Sequence, residues 1–307
     1  MGAQLRAVRQ RIRGIQSIAK ITRAQELIAA SRIIKAQQRV RGAQPYARAI
    51  IAALEAVVSR SAQIDHPLVR EPETVQRAAV LILTSDRGFA GGYNANVLRV
   101  AQGLRALLSE RGVEPVTYVV GQRGITWHRF RGREIAEQWR GFSEAPKHDN
   151  ARDIAATLVE AFGRPAEEGG DMGRVGEIYI VYTEFVSMLT QNAVVRRILP
   201  LEIAETTEEP ASGPVPLYEF EPSPQAVLDA LLPWYVESRI YHALLESAAS
   251  EIAARRRAMK SATDNANDLL EQFTREANKA RQAEITQEIS EIVGGANALA
   301  ETLAGKE

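Results

Sequence analysis

The sequence predicts a mixed α/β protein: a long antiparallel coiled coil of N- and C-terminal helices together with a central Rossmann-like α/β domain. Apolar residues recur at alternating steps of three and four at both ends of the chain, and strand-type and helix-type segments alternate between them. The ends also differ in charge. Residues 1–50 contain eleven Arg or Lys and one acid, whereas residues 225–307 contain thirteen acids and nine bases. Opposite charge favours pairing between the two ends.

The N-terminal segment, residues 1–60, has the heptad spacing of a helix that wraps around another helix. Thr22 and Glu26 are the polar interruptions of the apolar series. Gly42 and Pro45 could end this helix or kink it. The predicted seam consists of Leu5, Val8, Ile12, Ile15, Ala19, Thr22, Glu26, Ala29, Ile33, Ala36, Val40 and Ala43.

Residues 76–222 are predicted to form the central domain. Apolar and β-branched runs indicate strands, and strand–helix alternation favours an open, mostly parallel sheet with helices on its faces. The predicted strands are 78–84, 116–120, 177–183 and 193–199, and the predicted helices are 94–109 and 149–162. Residues 165–175, rich in glycine and acids, are expected to form a surface loop, and residues 210–222 an extended connector.

Residues 223–307 are predicted to form the second long helix. Ser223 followed by Pro224 is a favourable helix start, because serine caps the first turn and proline suits the first helical position. Pro233 could break or kink the helix. The first part of the predicted seam consists of Tyr241, Leu245, Ala248, Ile252, Arg255, Met259, Ala262, Ala266, Leu269 and Phe273.

Two irregularities stand out in this C-terminal seam. Arg255 interrupts the apolar series, so its guanidinium needs either a partner or a route to solvent. The seam is also expected to slip in phase near Ala280, as at a stutter, and to resume at Ile285.

The segment TSDRGFAGGYN (84–94), between a predicted strand and helix, is the best candidate for chemistry. Its glycines could bring backbone N–H groups to a phosphate, but their spacing matches neither dinucleotide nor P-loop motifs and no lysine is present. A tight turn with Asn94 as helix cap is the favoured interpretation. Ser85 and Asp86 could act as nucleophile and orienting acid, but no nearby histidine completes the set. The sequence therefore predicts no catalytic centre, no metal site and no cofactor.

Two other functions remain open on these residues. One is a phosphate-binding α/β enzyme that uses 84–94. The other is a coiled-coil nucleic-acid adaptor that uses the basic face of the first helix, although residues 1–45 lack the aromatic side chains that would stack on bases. No segment has the roughly 20 continuous apolar residues of a membrane span, so direct membrane insertion is not expected.

Five segments resemble, in order, the gamma subunit of bacterial F-type (proton-translocating) ATP synthases. They are IAKITRAQELIAAS (18–31), TSDRGFAGGYN (84–94), EFEPSP (219–224), AMKSATDNA (258–266) and ITQEISEIVGGA (285–296). The last is the most specific, because it resembles the family signature. The matching signature residues are Ile285, Thr286, Glu288, Glu291, Gly295 and Ala296.

The resemblance implies a non-catalytic rotor shaft that couples proton-driven rotation of the c-subunit ring to ATP synthesis and hydrolysis. The implied partners are the alpha and beta subunits of the catalytic hexamer, the epsilon subunit and the c ring, with no nucleic acid. The implied location is peripheral, at the cytoplasmic face of the cell membrane. One departure is Gln25, where the family usually has methionine. The implied hexamer contacts are Arg255, Arg281, Gln282, Thr286 and Glu288.

Overall fold

The computed structural model describes residues 2–60, 75–163, 174–201, 221 and 223–304. Most of the predicted 165–175 loop and of the 210–222 connector lies outside these residues. The chain divides into two compact units: Met1–Ile28 with Arg256–Glu307, and Ala29–Arg255. The domain boundaries expected from the sequence, 1–60, 76–222 and 223–307, stay predictions.

All the strands and helices expected from the sequence are present, and their ends differ by a few residues. A short helix and a short strand, α3 and β3, were not predicted. In the described residues the elements are α1 Gly2–Arg60, β1 Arg77–Leu83, α2 Tyr93–Glu110, β2 Glu114–Val120, α3 Gln122–Phe130, β3 Glu137–Trp139, α4 His148–Gly163, β4 Glu177–Phe185, β5 Gln191–Leu199 and α5 Pro224–Ala304.

Neither proline divides a terminal helix: Pro45 lies inside α1 and Pro233 inside α5. The start of α5 is as expected, since the backbone N–H of Ala226 donates to the Ser223 hydroxyl at 3.2 Å. This bond satisfies one of the N–H groups that a helix start leaves without a partner.

The α1 part of the predicted seam is confirmed in the unit formed by the two chain ends. Its α1 positions are buried or half-buried, whereas the neighbouring Ile18 and Ile21 are 54% and 62% exposed. The Thr263 hydroxyl donates to the Thr22 hydroxyl at 2.7 Å, and the Arg11 guanidinium lies 5.9 Å from the centre of the Phe273 ring. Rising numbers on α1 therefore meet falling numbers on α5, which makes the pair antiparallel.

The seam has the same character within the Ala29–Arg255 unit. The buried side chains of Ile33 and Ile252 belong to one apolar cluster of α1 and α5, which small alanines complete. Further along, Leu54 of α1 and Leu228 of α5 share a second cluster. Alanines allow two helices to approach closely, and the larger side chains fill the remaining space.

The sheet has the strand order β3-β2-β1-β4-β5. The first four strands are parallel, and β5 returns antiparallel to β4. Alternate residues of β1 point to opposite faces. Val80 and Ile82 pack with α2 on one face, and Leu81 and Leu83 pack with α4 and α5 on the other. Helices on both faces explain why β1 is an uninterrupted apolar run.

Candidate functional site

The distal segment of α5, residues 281–297, carries the signature and the predicted contact residues. Apart from the half-buried Glu284, every side chain in it is exposed. The Thr286 hydroxyl donates to the Gln282 carbonyl at 2.9 Å, and Gln287 bonds Glu291 at 2.9 Å, so these bonds stay within the helix. The segment thus presents its side chains outward.

The covered face of α5 ends where the distal segment begins. Half-buried positions continue in steps of three and four through Phe273, Ala277, Ala280 and Glu284, and from Ile285 onward no described side chain is covered. The predicted phase slip near Ala280 is therefore wrong. Small alanines carry the contact there, whereas the larger apolar residues beyond them lie on an uncovered face. The prediction that Leu269 lies in the seam is also wrong, because its side chain is 43% exposed.

The distal segment carries several large apolar side chains that are exposed. The exposed fractions are 46% for Ile285, 56% for Ile289, 71% for Ile292 and 52% for Val293. Contiguous exposed apolar groups of this kind mark interaction surfaces in soluble proteins.

Arg255, the predicted interruption of the seam, lies in the Ala29–Arg255 unit and is bonded within it. Its guanidinium donates to Glu251 at 2.7 Å and lies 3.1 Å from a carboxylate oxygen of Glu144. It also donates to the Gly88 carbonyl at 3.3 and 3.4 Å. The partner that the sequence required is thus supplied by the chain itself, and a hexamer contact at Arg255 stays a prediction.

The Glu144 carboxylate forms ion pairs with arginines from three different parts of the chain. Arg32 of α1 donates to it at very short range, Arg255 of α5 lies at 3.1 Å, and Arg87 of the β1–α2 loop lies at 3.9 Å. The Glu144 side chain is 18% exposed. We call Glu144 with Arg32 and Arg255 the carboxylate joint. Glu144 was missed in the sequence, since it stands in an irregular loop without periodic spacing.

Glu251 is a fully buried carboxyl group on α5 next to this joint. Burial raises its pKa to about 7, because the charged form loses hydration, and the Glu144 charge adds to the rise. Arg255 and the Ser143 hydroxyl act in the opposite direction. Burial and the Glu251 charge also raise the pKa of the nearby Tyr93. The i,i+4 spacing to Arg255 is the sequence signal that could have revealed Glu251.

The polar groups of the 84–94 turn are used to hold the turn together. The Asp86 carboxylate accepts backbone N–H groups of Gln122, Gly141 and Ser143 at 3.1, 2.8 and 3.0 Å. These bonds tie the ends of three neighbouring strands. Asp86 is thus a structural acceptor and does not orient a nucleophile.

Asn94 does not cap α2, contrary to expectation. The cap position is Gly92, and Asn94 lies inside the first turn, where its Oδ1 accepts the Ser85 N–H at 2.9 Å and its Nδ2 donates to the Ser85 hydroxyl at 2.8 Å. The asparagine therefore links the helix back to the end of β1.

A cleft of about 890 Å³ opens beside Glu144, between α1 and the loop that follows β3. Its lining is mainly basic, so the cleft attracts anions. The charged lining residues are Arg32, Lys35, Arg39, Arg87, Arg140 and Lys147 with Asp86 and Glu144. Across the described ranges, no group of three or more His, Asp or Glu is placed to hold a metal ion. No helix in those ranges is both long enough and apolar enough to cross a membrane.

Paired terminal helices, an exposed distal segment and an internally bonded α/β domain define a structural subunit that works through its surfaces. A family model described as ATP synthase matches residues 4–299. The ATP synthase gamma chain of Acidothermus cellulolyticus is 60% identical over 302 residues, covering 98% of this chain and 99% of that relative. The gamma chain of Thermobifida fusca is 56% identical, with full coverage of both chains. The chain belongs to the ATP synthase gamma-chain family.

A solved structure shows the same fold at low identity. It is a chain of the Euglena gracilis mitochondrial ATP synthase, described as OSCP/F1/c-ring in rotational state 3. The TM-score is 0.65 at 16% identity, and the match covers 100% of this chain and 97% of that one. Neither alternative function, the phosphate-binding enzyme or the nucleic-acid adaptor, gains support from these relatives.

Proposed function

We propose that this chain is the central rotor shaft of an F-type ATP synthase. In this role it couples rotation of a c-subunit ring to ATP synthesis and hydrolysis at an alpha/beta hexamer, and it contributes no catalytic group of its own. The observation that carries the proposal is the distal segment, because it combines the family signature with an uncovered apolar face. The gamma-chain relatives, which match over nearly the whole chain, support the same role.

The apolar face of the distal segment is proposed to lie against the hexamer. Full burial of an isoleucine side chain contributes roughly 1.5–3 kcal/mol. Ile285, Ile289 and Ile292 are each about half exposed or more, so much of this contribution is still available to a partner. A collar formed by alpha and beta subunits would cover them.

Polar contacts are proposed to make the interaction depend on the angle of the shaft. Arg281, Gln282, Thr286 and Glu288 would bond loops of the alpha and beta subunits. A rotating shaft changes the conformations of its neighbouring subunits in turn only if, at each angle, it stabilises one conformation of a neighbour over another. Directional hydrogen bonds from one side of a helix satisfy this condition, whereas a uniformly apolar rod would not.

The remaining partners and the location are part of the same proposal. The α/β domain would contact the epsilon subunit and the c ring, with the complex at the cytoplasmic face of the membrane and this chain peripheral to it. The c ring in the description of the Euglena structure supports an assembly of this kind.

Aspartate substitutions test the apolar face. In a strain that assembles the whole complex, Ile289→Asp with Ile292→Asp should abolish recovery of alpha and beta subunits with this chain, because two charges would have to be buried. Leu107→Asp is the control, since Leu107 is also an exposed helical side chain, at 53%, but lies on α2. Full recovery of the hexamer with the double variant would show that the distal segment is not the contact.

A further inference from the structure

The two terminal helices are attached to the α/β domain in different ways. α5 packs broadly, with Val236 and Ile240 in the main core of the sheet, and the Ser250 hydroxyl donates to the Thr183 carbonyl of β4 at 3.1 Å. α1 contributes to an apolar cluster in which Phe185 and Met188 of the β4–β5 hairpin also take part. Glu144 is the domain residue to which both helices extend an arginine.

Apolar packing and the carboxylate joint resist different movements. Apolar burial is non-directional and depends on the area covered, so it does not by itself fix the distance between any two polar atoms of a helix and its neighbour. Charge-assisted hydrogen bonds need a narrow range of distance and angle. The carboxylate joint contains one such bond, from Arg32 to Glu144, and one ion pair, between Arg255 and Glu144 at 3.1 Å. Both contacts oppose sliding movements that would lengthen them.

The Arg255–Glu144 pair is the sheltered part of the carboxylate joint, whereas the Arg32 side chain is 51% exposed. The Arg255 side chain is 10% exposed and the Glu144 side chain 18%, so water and salt screen this pair less than a surface pair. Arg255 also donates hydrogen bonds to Glu251 and to the Gly88 carbonyl, and these bonds fix the orientation of its guanidinium. Four contacts with three oxygen atoms therefore hold the guanidinium, and one of these oxygens belongs to Glu144 of the α/β domain.

The position of the joint along the chain matters for transmission of torque. Arg255 is the last residue of the Ala29–Arg255 unit on α5, and Arg32 lies near the residue at which α1 enters it. Both helices are therefore attached to the α/β domain close to the points where they continue into the unit of the chain ends.

We propose that Glu144 is a positioning residue of the rotor: the carboxylate joint locks α1 and α5 to the α/β domain, so that torque on the domain turns both helices together. This inference rests on the proposed rotor function. It predicts that loss of Glu144 softens the rotor in torsion while leaving the apolar core and the assembly in place.

The test uses the complete complex, with the hexamer fixed to a surface and a probe on the α/β domain. The natural chain has no cysteine, so Leu107→Cys on α2 gives a single labelling position for the probe in this chain. The angular variance of the probe is measured in enzyme paused without ATP. Glu144→Ala should raise this variance above the wild-type value, and Glu144→Gln, which keeps an acceptor oxygen, should give a smaller rise.

Glu177→Ala is the matched control. Glu177 is a buried carboxylate that accepts from Arg111 at 3.0 Å, and its ion pair lies wholly inside the α/β domain, where β4 begins. This variant should keep the wild-type variance, which separates torsional softening from a general loss of stability.

Equal variance in the wild type, Glu144→Ala and Glu177→Ala would overturn the inference. If Glu144→Ala fails to assemble, Glu144→Gln supplies the measurement. If neither Glu144 variant assembles although Glu177→Ala does, Glu144 is a folding residue and the inference is wrong. Failure of the rotor function itself would look different, because the probe on the wild-type complex would then not rotate when ATP is added.

Discussion

Truncation of Ile33 is expected to destabilise the Ala29–Arg255 unit by about 2–4 kcal/mol. Ile33 is 4% exposed and shares a cluster with Ala249, Ile252 and Ala253. Ile33→Ala removes the buried carbons beyond Cβ, at about 0.8 kcal/mol each, which sums to about 2.5 kcal/mol. The cavity left between two helices adds to this loss, while the higher helix propensity of alanine offsets a few tenths of a kcal/mol.

The adjacent residue supplies the control for this measurement. Ile34 is 58% exposed, so Ile34→Ala changes the same chemistry on the same helix turn without opening a cavity. Its effect should lie within about 0.5 kcal/mol of zero. Urea unfolding, followed by circular dichroism, gives the free energy of unfolding of each variant. The two values can be compared if the slopes of free energy against urea concentration are equal. Equal losses for both variants, or a loss below about 1 kcal/mol for Ile33→Ala, would refute the assignment of Ile33 to the seam.

Two further predictions concern polar groups that are buried in the folded chain. Thr22→Val and Thr263→Val should each cost about 1 kcal/mol, and the double variant should cost less than their sum, because the hydroxyl–hydroxyl bond is lost once; strictly additive unfolding energies would contradict this. For Glu251, whose pKa rises to about 7 in the folded chain, the stabilising proton is bound at low pH and lost as pH rises through about 7. The melting temperature of Glu251→Gln, compared with that of the wild type, should therefore increase as pH rises from 5 to 8. A difference in melting temperature that does not depend on pH would count against this prediction.

The regular elements could be predicted because their signals are local. Spacing of three and four predicted the covered face of α1, including the polar Thr22, and the continuous apolar run before the 84–94 turn predicted β1. α3 and β3 were missed for physical reasons. α3 contains Gly124, where an added Cβ would lie 2.7 Å from the Thr84 hydroxyl. Glycine disfavours a helix, and it is present here because of this close contact with a residue distant in sequence. β3 pairs over a few residues at the sheet edge.

The sequence by itself determined the class of fold, the antiparallel pairing of the chain ends and, through its signature, the family. These rest on periodicity, charge balance and short motifs, which neighbouring residues define. Only the tertiary structure decided what Arg255 bonds, why Glu251 holds its proton so tightly and that Glu144 joins two helices. Arg32 and Glu144 are 112 residues apart in sequence, and Arg255 and Gly88 are 167 apart. Such contacts depend on how whole elements pack, because no local pattern relates residues at that separation.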